Sequence, residues 1–225
     1  DGHPEDAPYD RVLATCAVRA VPYAWIEQTA PSGIVLAPWE TPWLSHGLLR
    51  LTVEGDGTAS GWFTPHPACM PLRAHRTDPR ILRDVVRDED QPEETTTGVS
   101  PCAVTGDNWN ARFAIGLQTR DISHTWQHDP GIDGVTSRLW LTTTDATSRA
   151  AIDPDPENPE GPEDGERFTI HQHGPRRLWD EVTAALTWWH QAGSPGPERF
   201  GMTVQPDGTH HAWLDTPDRP VPRTG

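Results

Sequence analysis

The sequence predicts an α/β protein: the C-terminal half of a doubly wound sheet, followed by a smaller α+β domain. Three observations carry that expectation. Two short apolar runs, Arg11-Val12-Leu13-Ala14-Thr15-Cys16 and Ile34-Val35-Leu36-Ala37-Pro38, enclose a Pro-started helical stretch, the pattern of a parallel crossover. Two further runs, Leu48 to Val53 and Ala59 to Phe63, flank a loop containing Asp56-Gly57, which marks an antiparallel hairpin. After an acidic stretch centred on Asp88 to Glu94, scattered strand-like runs share the remaining chain with one strongly periodic helix. The expected boundaries are 1–76 for the sheet fragment, 77–99 for an acidic linker and 100–225 for an α+β accessory domain.

The chain opens on Asp1-Gly2-His3-Pro4-Glu5-Asp6-Ala7-Pro8, which reads as a loop following earlier strands, so an N-terminally truncated domain is expected. The run from Arg11 to Cys16, within a strand expected over Tyr9 to Cys16, is nearly continuous in its apolar character and predicts burial on both faces of a parallel sheet. Pro22 suits a helix start, and Pro22 to Thr29 sets Ala24, Trp25 and Ile26 toward the buried side. Pro31-Ser32-Gly33 then breaks the helix before the strand Ile34 to Pro38.

From Thr77 to Ser100 apolar periodicity disappears and charge gathers, which predicts a linker or a solvated helix end. Beyond it, strands are expected at Ala111 to Thr119, Ser137 to Thr143, Arg167 to His171, Gly201 to Val204 and His211 to Leu214. Arg176 to Gln191 predicts a helix, with Leu178, Val182, Ala185, Leu186 and Trp189 at helical spacing and Gly193 as the stop. The Pro-rich acidic stretch Asp153 to Glu166 predicts an exposed loop.

Composition narrows the function classes. The net charge is −15, from 33 acidic against 18 basic residues, and every basic residue is Arg. A polyanion is an unsuitable partner for such a chain, because phosphate binding needs a basic patch that displaces counterions. Absent Lys with abundant Arg, Ala, Gly and Pro is the signature of GC-rich coding. No apolar run approaches the ~18 residues of a membrane span, and cytoplasmic localisation is the expectation. Cys16, Cys69 and Cys102 form neither a C-x-x-C pair nor an even set, which argues against a disulfide framework or a zinc site. The eleven Trp are chiefly packing residues. His171 and His173 share a strand face but lack a third ligand at matching spacing, so no metal is assigned. Ser45-His46 and Ser123-His124 are sequence neighbours and do not imply a nucleophile with its base.

The order Ala7-Pro8-Tyr9-Asp10, a strand, Ala17-Val18, Val21-Pro22, a helix ending Glu27-Gln28-Thr29-Ala30-Pro31-Ser32-Gly33 and a strand ending at Pro38 resembles the protein-L-isoaspartate O-methyltransferase family. The family reads A-P-Y-D, V-P and E-Q-L-x-P-G-G at these places. The sequence departs at Ser32, usually Gly, and at Trp39-Glu40, usually a small Val-Gly pair. Met70-Pro71-Leu72-Arg73 looks like the V-P-L segment that closes the family's domain, and Gly2-His3-Pro4-Glu5-Asp6-Ala7-Pro8 fits its G-Y-P-E-x-A-P. The resemblance spans residues 2 to 76. A C-terminal extension resembles actinobacterial members that tailor ribosomally made peptides.

The resemblance implies a Rossmann-like fold, S-adenosylmethionine as cofactor, and methyl transfer to an aspartyl or isoaspartyl carboxylate of a protein or precursor peptide. It places Thr15, Cys16 and Ala17 in the wall of the substrate site, Pro71 and Leu72 near the cofactor, and Arg73 where its planar fork could pair a substrate carboxylate. It implies no catalytic acid or base, since a carboxylate with a pKa near ~4 is already ionised at neutral pH. It also puts the adenine contact, the Gly-rich loop and the ribose-binding acid upstream of residue 1. The alternative expectation is a catalytically idle peptide-binding module on the same scaffold. A third is methylation of another acceptor, which fold alone does not exclude.

Overall fold

A computed structural model describes residues 2–65, 69–72, 92–119, 121–154 and 168–224. The chain forms two compact units, Asp1–Arg76 with Gly193–Pro222, and Thr77–Ala192 with Arg223–Gly225.

In the first unit, β1 (Tyr9–Leu13), α1 (Tyr23–Glu27) and β2 (Thr29–Glu40) make the crossover, and β3 (Ser45–Val53) and β4 (Ala59–Thr64) make the hairpin. β1 and β2 run parallel, with Val12 opposite Val35 and Leu13 opposite Leu36. β3 runs antiparallel to β2, and β4 to β3. The α/β character read from the sequence holds. The hairpin loop turns at Gly57, whose φ of 85° is costless without a Cβ, and Asp56 accepts the Thr58 N–H at 2.9 Å to fix it. Ile26, Val35, Ala37, Leu49, Leu51, Val53 and Phe63 are buried and form the core of the crossover and hairpin.

β1 differs from its expected burial. Its residues are exposed or half-buried throughout, and Leu13 is 65% exposed. Among the described residues β1 has a strand partner on one side only, β2, so it is an edge of the described sheet.

The expected accessory domain of 100–225 also differs. β10 (Phe200–Val204) pairs antiparallel with β4, and β11 (His210–Leu214) with β10, which extends the first sheet to the order β1-β2-β3-β4-β10-β11. Periodicity identified both strands, but strand pairing across so long a separation leaves no local mark. The junction holds by side-chain fit. The Trp213 ring lies over Gly201, where a Cβ would meet a ring carbon at 2.0 Å. The Trp213 indole N–H donates to Thr203 Oγ1 at 3.0 Å.

The second unit carries an antiparallel sheet of order β5-β9-β8-β7-β6, built from β5 (Glu93–Thr97), β6 (Ile122–His128), β7 (Ser137–Thr143), β8 (Arg149–Pro154) and β9 (Phe168–His173). Among the described residues its helices are α2 (Pro101–Thr105), α3 (Trp109–Gln118) and α4 (Leu178–Gln191). α4 packs against β7, β8, β9 and α3, burying the predicted Leu178, Val182, Ala185, Leu186 and Trp189. Gly193, at φ 86°, follows its end as expected.

Three expectations fail in this unit. The predicted strand Ala111 to Thr119 is α3, capped by the Asn108 side chain on the Ala111 N–H. Ala111, Phe113, Ala114, Ile115 and Gly116 are all buried, and a helix buried on so broad a face lacks the one-sided pattern that separates it from a strand. β5 lies within the expected linker, where Glu93 to Thr97 reads as solvated because every residue but Thr97 is exposed. Asp153, placed in a loop, is a buried residue of β8 that takes both Arg138 Nε and Nη2, the former at 2.7 Å. The rest of that loop and most of the linker, 73–91 and 155–167, lie outside the described residues.

Candidate functional site

The first unit brings Ala17, expected at a substrate wall, and Pro71 and Leu72, expected beside a cofactor, into one hydrogen-bonded seam. Past β1 the chain stays extended beside β2, the Ala14 N–H donating to Leu36 O and the Val18 N–H to Pro38 O, each at 2.9 Å. On its other side the Ala17 N–H donates to Met70 O, and the Leu72 N–H to Ala17 O, both at 2.9 Å. Ala17 thus sits between β2 and the Met70–Leu72 segment, with Pro71 as its parallel bridge partner.

Exposure separates what these residues can do. Ala17 and Val18 are fully buried, so Ala17 contributes backbone and floor. Thr15 is exposed, Cys16, Pro71 and Leu72 are half-buried, and Met70 is 76% exposed. These form the accessible lip. Arg73 lies outside the described residues.

Two further groups brace the seam. Glu40, at the end of β2, has a side chain only 5% exposed, and it accepts Arg19 Nε at 3.0 Å. Its own N–H donates to Val18 O at 3.0 Å, so the ion pair stands directly behind the Ala17–Val18 wall. Trp39 and Glu40 stand where the resembled family has a small pair, a visible departure in the sequence, but the pairing of Glu40 with Arg19 leaves no local mark. His210 on β11 accepts the Val21 N–H on Nε2 at 3.0 Å, with Nδ1 2.8 Å from Gly208 O. That bond spans 189 residues, and no local pattern announces it.

Residues 1–62 match the family model described as protein-L-isoaspartate(D-aspartate) O-methyltransferase (PCMT). The match is confined to the opening segment. A relative named protein-L-isoaspartate O-methyltransferase 1, from Nitrosospira multiformis, is 31% identical over 72 residues, covering 32% of this chain and 30% of its own. The chain therefore spans under a third of that relative's length. A solved structure titled protein-L-isoaspartate O-methyltransferase aligns with 96% of this chain and 57% of its own at TM-score 0.40 and 17% identity. The family segment coincides with β1, α1, β2, β3 and most of β4, the elements that position the seam.

The seam tests how far its residues fit S-adenosylmethionine. Pro71 has no N–H to offer, the Leu72 N–H is engaged by Ala17 O, and both side chains are apolar. They can wall an adenine or a methylthio group. To ribose hydroxyls and an amino-acid moiety they offer main-chain carbonyls, but no free N–H and no polar side chain.

Among the described residues no group of three or more His, Cys, Asp and Glu side chains could hold a metal. His171 Nε2 lies 3.6 Å from Asp153 and its Nδ1 lies 3.8 Å from Glu94, while His173 faces Arg149.

Proposed function

We propose that this chain is the acceptor-side portion of an S-adenosylmethionine-dependent methyltransferase that esterifies aspartyl or isoaspartyl carboxylates in a polypeptide. The observation that carries the reading is the overlap of the family segment with the crossover and hairpin that hold Ala17 against Met70–Leu72. Thr15, Cys16 and Ala17 line the approach of the acceptor, Pro71 and Leu72 lie toward the methyl donor, and Arg73 follows directly in sequence as a partner for a substrate carboxylate.

The chemistry asks little of these residues beyond placement. A carboxylate oxygen attacks the sulfonium methyl carbon, the carbon–sulfur bond breaks, and its electron pair stays on sulfur as a neutral thioether. No proton moves, so no general base is needed. Alignment and exclusion of water supply the rate. In a peptide the next backbone nitrogen can attack the ester carbonyl, expelling methanol and closing a succinimide. Tailoring of a precursor peptide, with the 100–192 region recognising it, is the form of this reading that gives the second unit a role.

One observation favours a second reading, a peptide-binding module without transfer activity: Pro71 and Leu72 offer a nucleoside no free backbone N–H and no polar side chain. Labelled S-adenosylmethionine separates the two. Incubated with the full-length protein and either an isoaspartyl peptide or an Asp-containing precursor, it should yield base-labile label on peptide, with methanol released. Absence of transfer to both peptides would overturn the enzymatic reading.

A further inference from the structure

We propose that Trp109 and Arg112, at the start of α3, form a docking site for an acidic polypeptide segment. A carboxylate of that segment is held by the Arg112 guanidinium, and an adjacent apolar side chain rests on the Trp109 indole. The proposal rests on the reading of the acceptor as a polypeptide and locates its recognition in the second unit.

Arg112 stands out by what it lacks. The chain carries 33 acidic residues for 18 basic ones, so an arginine here has carboxylates in excess. Arg138, Arg176, Arg177 and Arg199 of the described residues each pair with one: Asp153, Glu181, Glu93 and Asp215. Arg112 has no carboxylate within ion-pair distance among the described residues, and its Nε is buried without a hydrogen-bond partner. An unpaired arginine in open solvent is satisfied by water. A half-buried one without a carboxylate carries a desolvation cost that a carboxylate docked on the exposed side of its guanidinium would offset. Burial pulls the Arg112 pKa below its ordinary value and Asp107 pulls it back up, yet a guanidinium stays charged and the cost persists.

The second half of the site is aromatic. The Arg112 guanidinium carbon lies 4.8 Å from the Trp109 ring centroid, and Trp109 is 48% exposed, one of the few large apolar side chains so open. Three residues apart on a helix, the two share a face. The indole holds the guanidinium plane, which preorganises its fork for a planar, bidentate partner. Asn108, capping the Ala111 N–H at 3.2 Å, fixes the backbone beneath both. Charge selects the occupant: a net charge of −15 repels a polyanion, whereas one carboxylate on a peptide meets only the local cation.

Isothermal titration of the full chain, without methyl donor, tests this with a capped peptide carrying Asp beside Leu and the same peptide with Asn for Asp. The Asp peptide should bind at least about tenfold more tightly than the Asn peptide, the value of a charge-assisted contact. Arg112→Gln should abolish the difference, and Trp109→Ala should weaken both peptides. If Arg112→Gln fails to fold, Arg112→Lys, which keeps the charge but not the fork, should narrow the difference. Equal binding of the two peptides by the wild-type chain, unchanged discrimination in the Arg112 variants, or no binding at millimolar peptide would each overturn the site. Because no donor is present, absence of methyl transfer leaves this result untouched, and intact transfer with equal peptide binding would overturn the docking site alone.

Discussion

At the scale of single residues, Glu40 defines the energetics around the candidate site. A carboxylate with 5% side-chain exposure is stable only when its lost hydration is replaced, and Arg19 Nε at 3.0 Å supplies part of that replacement. Removing one partner of a buried pair costs more than the pair contributes, because the remaining charge stays desolvated. Arg19→Ala should therefore destabilise the first unit by about 3 kcal/mol in urea denaturation, while Glu40→Gln, which removes the charge itself, should cost less. Equal stability of Arg19→Ala and the wild type would show that the pair does not brace the wall.

At the scale of elements, the junction of β4, β10 and β11 depends on the absence of one atom. Gly201 faces Trp213 so closely that an added Cβ would sit 2.0 Å from the ring, and Trp213 stacks edge-on against Trp62 at 4.5 Å between centroids. Gly201→Ala must displace a large, buried indole or separate the strands. The expected cost is about 2–3 kcal/mol, read as a lower thermal midpoint together with a changed tryptophan fluorescence maximum. Beyond β11, Asp215 receives Arg199 Nε and Nη2 at 2.8 and 2.7 Å, and Arg199 holds its carboxyl below the usual range. That clamp ties the end of β11 to the 3-10 turn Pro197–Arg199 and fixes the register that sets Trp213 over Gly201.

At the scale of the whole molecule, the first unit is discontinuous, closed by Gly193–Pro222, which follow the long Thr77–Ala192 segment of the second unit in sequence. Phe200, Met202, Val204 and Leu214 are buried in it. At about 2 kcal/mol for each buried side chain, their loss approaches the whole stability of an ordinary domain. A chain ending at Ala192 should therefore lose amide-exchange protection in β3 and β4, whose edge β10 covers, while α4 in the second unit keeps its own. Persistent protection of β3 and β4 would show that residues 1–76 fold independently.

The sequence by itself determined the local order of this protein. Tyr9 to Pro38 announced a crossover through apolar runs and Pro and Gly punctuation, Asp56-Gly57 announced the hairpin, and Leu178 to Trp189 announced a helix, because each signal lies within one element's length. The structure pairs Ala17 with Pro71 and Leu72, residues that the motifs singled out separately. Tertiary structure decided what no window can hold. It set β10 beside β4, His210 against Val21, and Arg19 against Glu40, and it left β1 as an exposed edge. It also made a helix of Ala111 to Gln118, whose broadly apolar stretch suits either period until neighbours bury it. Pairing and burial are contacts between distant segments, and their free energy exists only once the chain has brought those segments together.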